Sequence, residues 1–584
     1  MRLASLSAVA LATSKTVVTS SCNIATNQQL DQLLGNIKLQ WPSLLRSELS
    51  ILDLVDDPKM PIKAGERFKL YVRTLPGSSE TPEVIRNRLQ SVNPVGDLDR
   101  VEVLELPSDG KIHDPTKHGA VYLPYPYVVP GGRFQEMYAW DSFFIAIGLL
   151  RDSQIRLARN MIDNYIYQIE HYGTILNGNR SYYLTRSQLP FLTPLIKLIL
   201  PHIPTDHKQQ WLQRAIRATE KYHTYWTTGS HYVPQTGLSR FFDYGPPGSS
   251  PPEIIHETDP RDGSTVYQRV KRFFRENYHQ GVPDYDISEY YDYDKDELKP
   301  KFMDNDRAMR ESGFDTSRRF GPFNSKILDF NPVCLNSLIA LMEYDLSELY
   351  LLLPGSNNQI KRNQKLSRAW HLKGKDRHEL IDKYNWDENL GLYFDYDYVK
   401  KERRIYKFAT TFLPLWAGIA SKDQALKVSR EAINSLEIPG GISSSDQIQG
   451  DQWDKPYVWA PLQLFAVDGL RKYGFDEIAD RLATKFGSMV LKTFIKTGDL
   501  WEKYEGIKRD ETVDLKFGYP TNEKGFGWTN AIFTRFYDEL KKSGKLNGLL
   551  QLDEEGDGCG NEKIMYPSEE EEWIKVEFEK SLKK

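Results

Sequence analysis

The sequence predicts an all-α protein, a large helical domain preceded by a smaller mixed segment. Three observations carry that expectation. Apolar residues recur at three- and four-residue steps in about ten stretches, few stretches alternate as a strand does, and near residue 116 the chain changes character. Beyond that point long helical patterns are separated by aromatic, Gly- and Pro-rich loops.

The chain starts MRLASLSAVALATSKTVVTSSC, one basic residue followed by mostly small apolar ones. Residues 1–21 are a borderline match to a secretory signal. Lys15 interrupts the apolar run early, and Thr-Ser-Ser before Cys22 is a poor lipoprotein site. The cytoplasm is the expected compartment, with secretion or a periplasmic location as the alternative. Residues 1–115 read as an N-terminal appendage, with a helical piece around QLDQLLGNIKLQWPSLLRSELSILDLV and a short strand pattern in RFKLYVRTL.

Residues 116–545 form the helical domain. In QIRLARNMIDNYIYQIEHYG, Ile155, Ala158, Ile162, Tyr165, Ile166 and Ile169 share one helical face, and the helix ends at Gly173. VCLNSLIALMEYDLSELYLLL and EIADRLATKFGSMVLKTFIKTG read the same way. The stretches 228–330 and 435–460 are too long for mere connectors and are natural places for a site. Residues 546–584, with DEEGDG and SEEEEW, read as an acidic, solvated tail.

Composition narrows the function. With 76 Lys and Arg against 80 Asp and Glu there is no field to recruit nucleic acid. No run after the N-terminus approaches the ~20 apolar residues of a membrane helix. Cys22, Cys334 and Cys559 lack the spacing of a metal cluster or a disulfide framework. Neither a metal nor a cofactor is implied, and oligomeric state is not specified. Aromatics make up 12% of the chain, including 33 Tyr and 12 Trp. Such rings can fill a core, or they can cover the apolar faces of sugars while Tyr and Trp polar atoms still hydrogen-bond.

Six segments mix aromatics with polar or charged residues at loop-to-helix junctions. They are PGGRFQEMYAWDSFF, LNGNRSYYLTRSQLP, ESGFDTSRRF, DQWDKPYVWAP, LWEKYEGI and KGFGWTNAIF. Gathered at one end of a toroid of helix pairs, they would wall a polar, ring-lined pocket suited to carbohydrate. Glycoside hydrolysis requires two carboxyl groups flanking the scissile bond. Glu136, Asp141, Glu311, Asp315, Asp454, Glu502 and Glu505 are the candidates, and the residues alone do not choose between them.

PGGRFQEMYAWDSFF resembles the first signature of the trehalases, PGGRFxExYxWDxY, departing only at the last position, where Phe143 stands. QWDKPYVWAP matches the second signature at Gln452, Trp453, Asp454, Pro456, Val458, Trp459, Ala460 and Pro461. The other four segments are similar to further family blocks in the expected order, over residues 120 to 540. The resemblance implies an (α/α)6 toroidal barrel and inverting hydrolysis of trehalose to two glucose molecules. It implies Asp315 as general acid and Glu502 as the base that activates water. Their separation would be about 6.5 to 9.5 Å, leaving room for that water.

For Asp315 to hold its proton near neutral pH, burial against Phe314 and Phe320 should raise its pKa, with Arg318 or Arg319 opposing if either reached it. Lys503 need not face Glu502. Substrate-binding residues implied by the resemblance are Arg133, Phe134, Tyr138, Trp140, Asp141, Asn177, Arg186, Gln188, Glu253 and Trp453. The partner is thus a small disaccharide or glucoside.

Three departures leave the substrate open. The family's Arg-Pro-Glu element reads SSPPEIIHE here, keeping Glu253 and replacing the arginine by Pro251. The Gly-Gly-Glu-Tyr stretch before GFGWTN reads FGYPTNEKGFGWTN, so that a glutamate role falls to Tyr519 or Glu523. The N-terminal Asp-Ser-Lys-Thr-Phe element is not recognisable. The alternatives are the same chemistry on another α-glucoside, such as glucosylglycerate or glucosylglycerol, and a non-catalytic sugar-binding protein on this scaffold.

Overall fold

The structure, a computed structural model, describes residues 24–552 except 56, 64, 94–97 and 520. The signal expectation at 1–21, Cys22, Cys559 and the acidic tail from 553 onward lie outside the described residues.

The N-terminal segment is mixed, as its patterns suggest. Helix α1 (Asn27–Gln40) starts at a capping box between Thr26 and Gln29 and ends just before Pro42. A central strand β1 (Phe68–Val72), within the alternating RFKLYVRTL, pairs in parallel with β2 (Val101–Glu105) and β3 (Ala120–Val121). Between β1 and β2 runs α2 (Pro82–Val92), with Thr81 as N-cap and Pro82 in its first turn.

The rest is helical. Chain order gives α3 (Ala139–Arg151), α4 (Ile155–Tyr172), α5 (Leu192–Ile199), α6 (Thr205–Thr227), α7 (Val266–Asn277), α8 (Pro300–Ser312), α9 (Val333–Leu351) and α10 (Asn357–Tyr384). Then follow α11 (Leu413–Ala417), α12 (Lys422–Leu436), α13 (Ala460–Lys472), α14 (Asp476–Thr497) and α15 (Gly527–Lys542).

Six of these close a ring. Helix α3 packs on α5, α5 on α9, α9 on α11, α11 on α13, α13 on α15, and α15 returns to α3. Helices α4, α6, α10 and α14 form a second layer against them. Burial separates the layers: α3 buries ten of its thirteen residues, whereas α10 buries five of its 28. A helix apolar all round belongs inside, and one with a narrow apolar stripe belongs outside. A closed ring of six inner helices with others outside it is consistent with the (α/α)6 barrel that the resemblance implies.

Helix α4 shows how local sequence sets an element. It stops at Gly173, whose φ of 88° is the left-handed conformation that ends helices. Its predicted face is buried except at the first position, Ile155, which is 37% exposed where the helix begins. The stretch 228–330 holds α7, α8 and an aromatic cluster of its own around Phe274, Tyr285, Tyr290, Tyr291 and Phe302. The stretch 435–460 ends in β4 (Tyr457–Trp459), which pairs antiparallel with β5 (Lys503–Glu505) and sets Trp459 opposite Lys503. Among the described residues no helix is long and apolar enough to cross a membrane.

Candidate active site

A cavity opens among the loops that join the ring helices. Its wall contains Arg133, Phe134, Tyr138, Trp140, Asp141, Asn177, Arg186, Gln188, Glu253, Asp315, Trp453 and Glu502. The twelve residues singled out from the sequence therefore share one wall, although they span residues 133 to 502.

Local structure explains each position. Gly131 and Gly132 have φ of 124° and 56°, and a Cβ on Gly132 would lie 2.1 Å from a Glu523 carboxylate oxygen. That turn presents Arg133 and Phe134, and the start of α3 presents Tyr138, Trp140 and Asp141. The loop from α4 to α5 brings Asn177, Arg186 and Gln188; the Asn177 amide donates to Ser187 and Arg310 carbonyls, and the Gln188 side chain accepts from the Trp140 amide. Glu253 sits on a short 3-10 turn after Pro251. Asp315 follows α8 just past Gly313, and Glu502 immediately precedes β5.

Rings enclose this space. Trp140 packs edge-on against Phe314 and Trp528, and Phe314 edge-on against Trp453. Trp453 lies flat on Trp459, centroids 3.8 Å apart and planes 8° from parallel. The stack fixes Trp453 from behind.

The seven candidate carboxyls now separate. Glu136 is held by Lys59 at 2.9 Å and Arg180 at 2.7 Å, fully buried. Glu311 accepts from the Ser187 and Phe242 amides, the Tyr225 hydroxyl and His231. Asp454 is buried against Tyr406 and Ser445, and Glu505 caps the turn at Ile507 and Lys508. Among the described residues the carboxyls on the cavity wall are Asp141, Glu253, Glu257, Asp315 and Glu502.

Asp315 and Glu502 have different surroundings. Burial pushes the Asp315 carboxyl up to about 6. Arg310, with Nη1 3.5 Å from Asp315 Oδ2, pulls the other way. Arg318 and Arg319, which would have opposed the shift had they reached the acid, are drawn off by Asp451 at 2.8 Å and Asp395 at 2.6 Å. Glu502 meets a cation directly: the buried Lys503 ammonium lies 3.1 Å from its Oε2, and the Tyr519 hydroxyl donates to its Oε1. The expectation that Lys503 need not face Glu502 is thereby overturned. Alternation along β5 does not bind the two, because Glu502 precedes the strand and Lys503 is its first residue. Asp141 is pushed up to about 8, first by burial and further by the charge of Glu502.

The departures resolve in space. Arg186 is shared between Glu253 and Asp243, the latter at 3.2 Å, and Arg133 reaches Glu257 at 3.4 Å. Despite Pro251, Arg133, Arg186 and Arg310 put guanidinium groups on the cavity wall. Of the two residues weighed for the lost glutamate, Tyr519 lines the cavity and contacts Glu502, whereas Glu523 accepts from the Arg133 amide at 3.2 Å.

Sequence reasoning missed Lys59, Tyr183, Glu257, Arg310, Phe526 and Trp528, all on the wall. Signals existed for some of them. Arg310 adjoins ESGFD, Phe526 and Trp528 lie in GFGWTN, and Asp57-Pro58-Lys59 keeps the Asp-x-Lys spacing of the element that was not recognised.

Comparison with known proteins gives the family. The trehalase family model matches residues 104–541. The cytosolic neutral trehalase of Beauveria bassiana is 34% identical over 539 residues, 82% of this chain and 68% of that protein. That of Saccharomyces cerevisiae is 36% identical over 448 residues, 72% of this chain and 57% of that protein. The solved structure of the Saccharomyces cerevisiae neutral trehalase Nth1 superposes with a TM-score of 0.72 at 30% identity, covering 90% of this chain and 97% of that one. The chain thus spans between 57% and 68% of the length of these two sequence relatives. Matched in sequence over most of its length and in fold over nearly all of it, the chain belongs to the trehalase family.

Proposed function

We propose that this protein hydrolyses trehalose to two glucose molecules with inversion, using Asp315 as general acid and Glu502 as general base. The observation that carries the reading is the asymmetry of these two carboxyls on one ring-walled cavity. Burial raises the pKa of Asp315, whereas Glu502 has the Lys503 nitrogen 3.1 Å from its Oε2 and the Tyr519 hydroxyl on its Oε1.

The chemistry follows from that asymmetry. Asp315 gives its proton to the glycosidic oxygen as the bond to the anomeric carbon breaks. A water on the opposite face of the ring loses a proton to Glu502 and bonds to that carbon, so one glucose leaves as the β anomer and the other keeps its α configuration. Glu502 then returns its proton to solvent, and Asp315 takes one up. Asp141, Asn177, Arg186 and Gln188 supply hydrogen bonds to hydroxyls, and Trp453 and Phe134 cover ring faces. Since the fungal relatives are named cytosolic enzymes, the same compartment is proposed here.

Glucose release from trehalose, kojibiose, maltose, glucosylglycerol and glucosylglycerate tests the substrate; trehalose is expected to give the highest kcat/KM. Asp315→Asn and Glu502→Gln are each expected to abolish turnover with the melting temperature preserved. Normal turnover by either variant, or equal α anomer from both halves in the first-formed products, would reject the assignment.

A further inference from the structure

Lys59 belongs to the N-terminal segment, well before residue 104 where the family match begins, yet its side chain forms part of the cavity wall. Its ammonium is 2.9 Å from Glu136 and 3.8 Å from Asp57, with its side chain 8% exposed. It lies 5.7 Å from the centre of the Phe134 ring and 5.8 Å from that of Tyr138, both wall residues. Two anions, Glu136 and Asp57, face two cations, Lys59 and Arg180, the latter 2.7 Å from Glu136 and 3.6 Å from Asp57. Asp57 also accepts from the Tyr182 hydroxyl at 2.8 Å.

Burying a lysine is costly unless its charge is matched and its donors are used. An ammonium carries three N–H donors. Among the described residues Lys59 spends one of them, on Glu136. Balancing Glu136 and Asp57 together with Arg180 requires the charge of Lys59, but it uses one donor and does not require the side chain to reach the cavity wall. A cation over two ring faces with donors left at the wall of a sugar site has another use.

We propose that Lys59 binds substrate: its ammonium donates a hydrogen bond to a hydroxyl of the bound disaccharide. Through Glu136 it also holds the turn that carries Arg133, Phe134 and Tyr138. The N-terminal segment is then part of the active site. This rests on the reading of the cavity as a trehalose site.

The test uses the full chain as Lys59→Met and Lys59→Arg, with kinetics on trehalose and on trehaloses deoxygenated at single positions. Lys59→Met is expected to raise KM about ten- to a hundredfold, the range for a lost bond to a charged donor, with kcat changed much less. Its melting temperature should fall, because only Arg180 then remains to offset both Glu136 and Asp57, so kinetics are compared at a temperature where both proteins are folded. One deoxygenated trehalose that costs the wild type about tenfold should cost Lys59→Met nothing further, which a purely structural lysine would not produce. Lys59→Arg keeps the charge pair but moves the donor, so its melting temperature should match wild type while its KM stays raised; it carries the test if the methionine variant misfolds. An unchanged KM, or a deoxygenation penalty identical in wild type and variant at every position, overturns the proposal. If the wild type itself fails to cleave trehalose, the substrate reading fails; if it cleaves trehalose and Lys59→Met behaves like it, the role of Lys59 alone is rejected.

Discussion

Arg310→Gln removes the charge that draws the proton off Asp315. The guanidinium sits 3.5 Å from Asp315 Oδ2 and opposes the effect of burial. A unit charge at that distance is worth about 5 kcal/mol at an effective dielectric of 20 and about 1 kcal/mol in bulk water. The carboxyl borders an open cavity, so the interaction falls between those limits. An opposite charge this close shifts a carboxyl by about one to three pH units, or about 1.4 to 4 kcal/mol. Arg310 also neutralises Asp306 at 3.1 Å, and freeing that anion pushes Asp315 in the same direction.

Arg186 remains to favour the ionised form and Glu257 remains to oppose it, so neither alters the sign. Because the protonated acid is the active form, the alkaline limb of kcat/KM should move upward from near pH 6, by about one to three pH units. The assay is initial-rate hydrolysis of trehalose from pH 4 to 9 at constant ionic strength, wild type beside variant. A general fall in kcat/KM from lost binding leaves the limb's position readable. An alkaline limb that stays in place or moves down would refute Asp315 as the acid or Arg310 as its counterion.

Two further outcomes follow from other contacts. Tyr519→Phe removes the hydroxyl on Glu502 Oε1 but keeps the ring, over which Arg133 lies 4.3 Å from the centre; kcat should drop about ten- to a hundredfold with the fold intact, and an unchanged kcat would separate Tyr519 from the base. Burial pushes the Glu136 carboxyl up, but Lys59 and Arg180 outweigh it and hold it down at about 2. Its stabilising contribution is present above the ordinary value of 4.5 and is lost as pH falls toward about 2. Glu136→Gln should therefore cost about 3 to 5 kcal/mol at pH 7 in urea unfolding, and the gap from wild type should narrow below pH 4.5; a gap constant with pH would contradict the depressed value.

Much of this protein was legible along the chain. Three- and four-residue spacing marks α4, α9 and α14, Gly173 marks a helix end, and alternation in RFKLYVRTL marks β1. These features depend on neighbours within a turn or a strand, so residue order alone encodes them. The resemblance to trehalases, carried by the motif blocks and the SSPPEIIHE segment, implied the twelve wall residues; the residues alone did not choose them.

Tertiary structure decided which charges meet. Seven carboxyls looked alike in sequence, and ring closure put Asp141, Asp315 and Glu502 on the cavity while giving Glu136, Glu311, Asp454 and Glu505 partners elsewhere. Arg319 beside Asp315 in sequence goes to Asp395, whereas Arg310, one helical turn back, faces the acid. Lys59 meets Glu136 across 77 residues. Periodicity reports which face of an element is apolar; it carries no information on which distant side chain a buried charge will find. That choice is made when the helices pack and each desolvated charge takes the nearest partner able to offset the cost of leaving water.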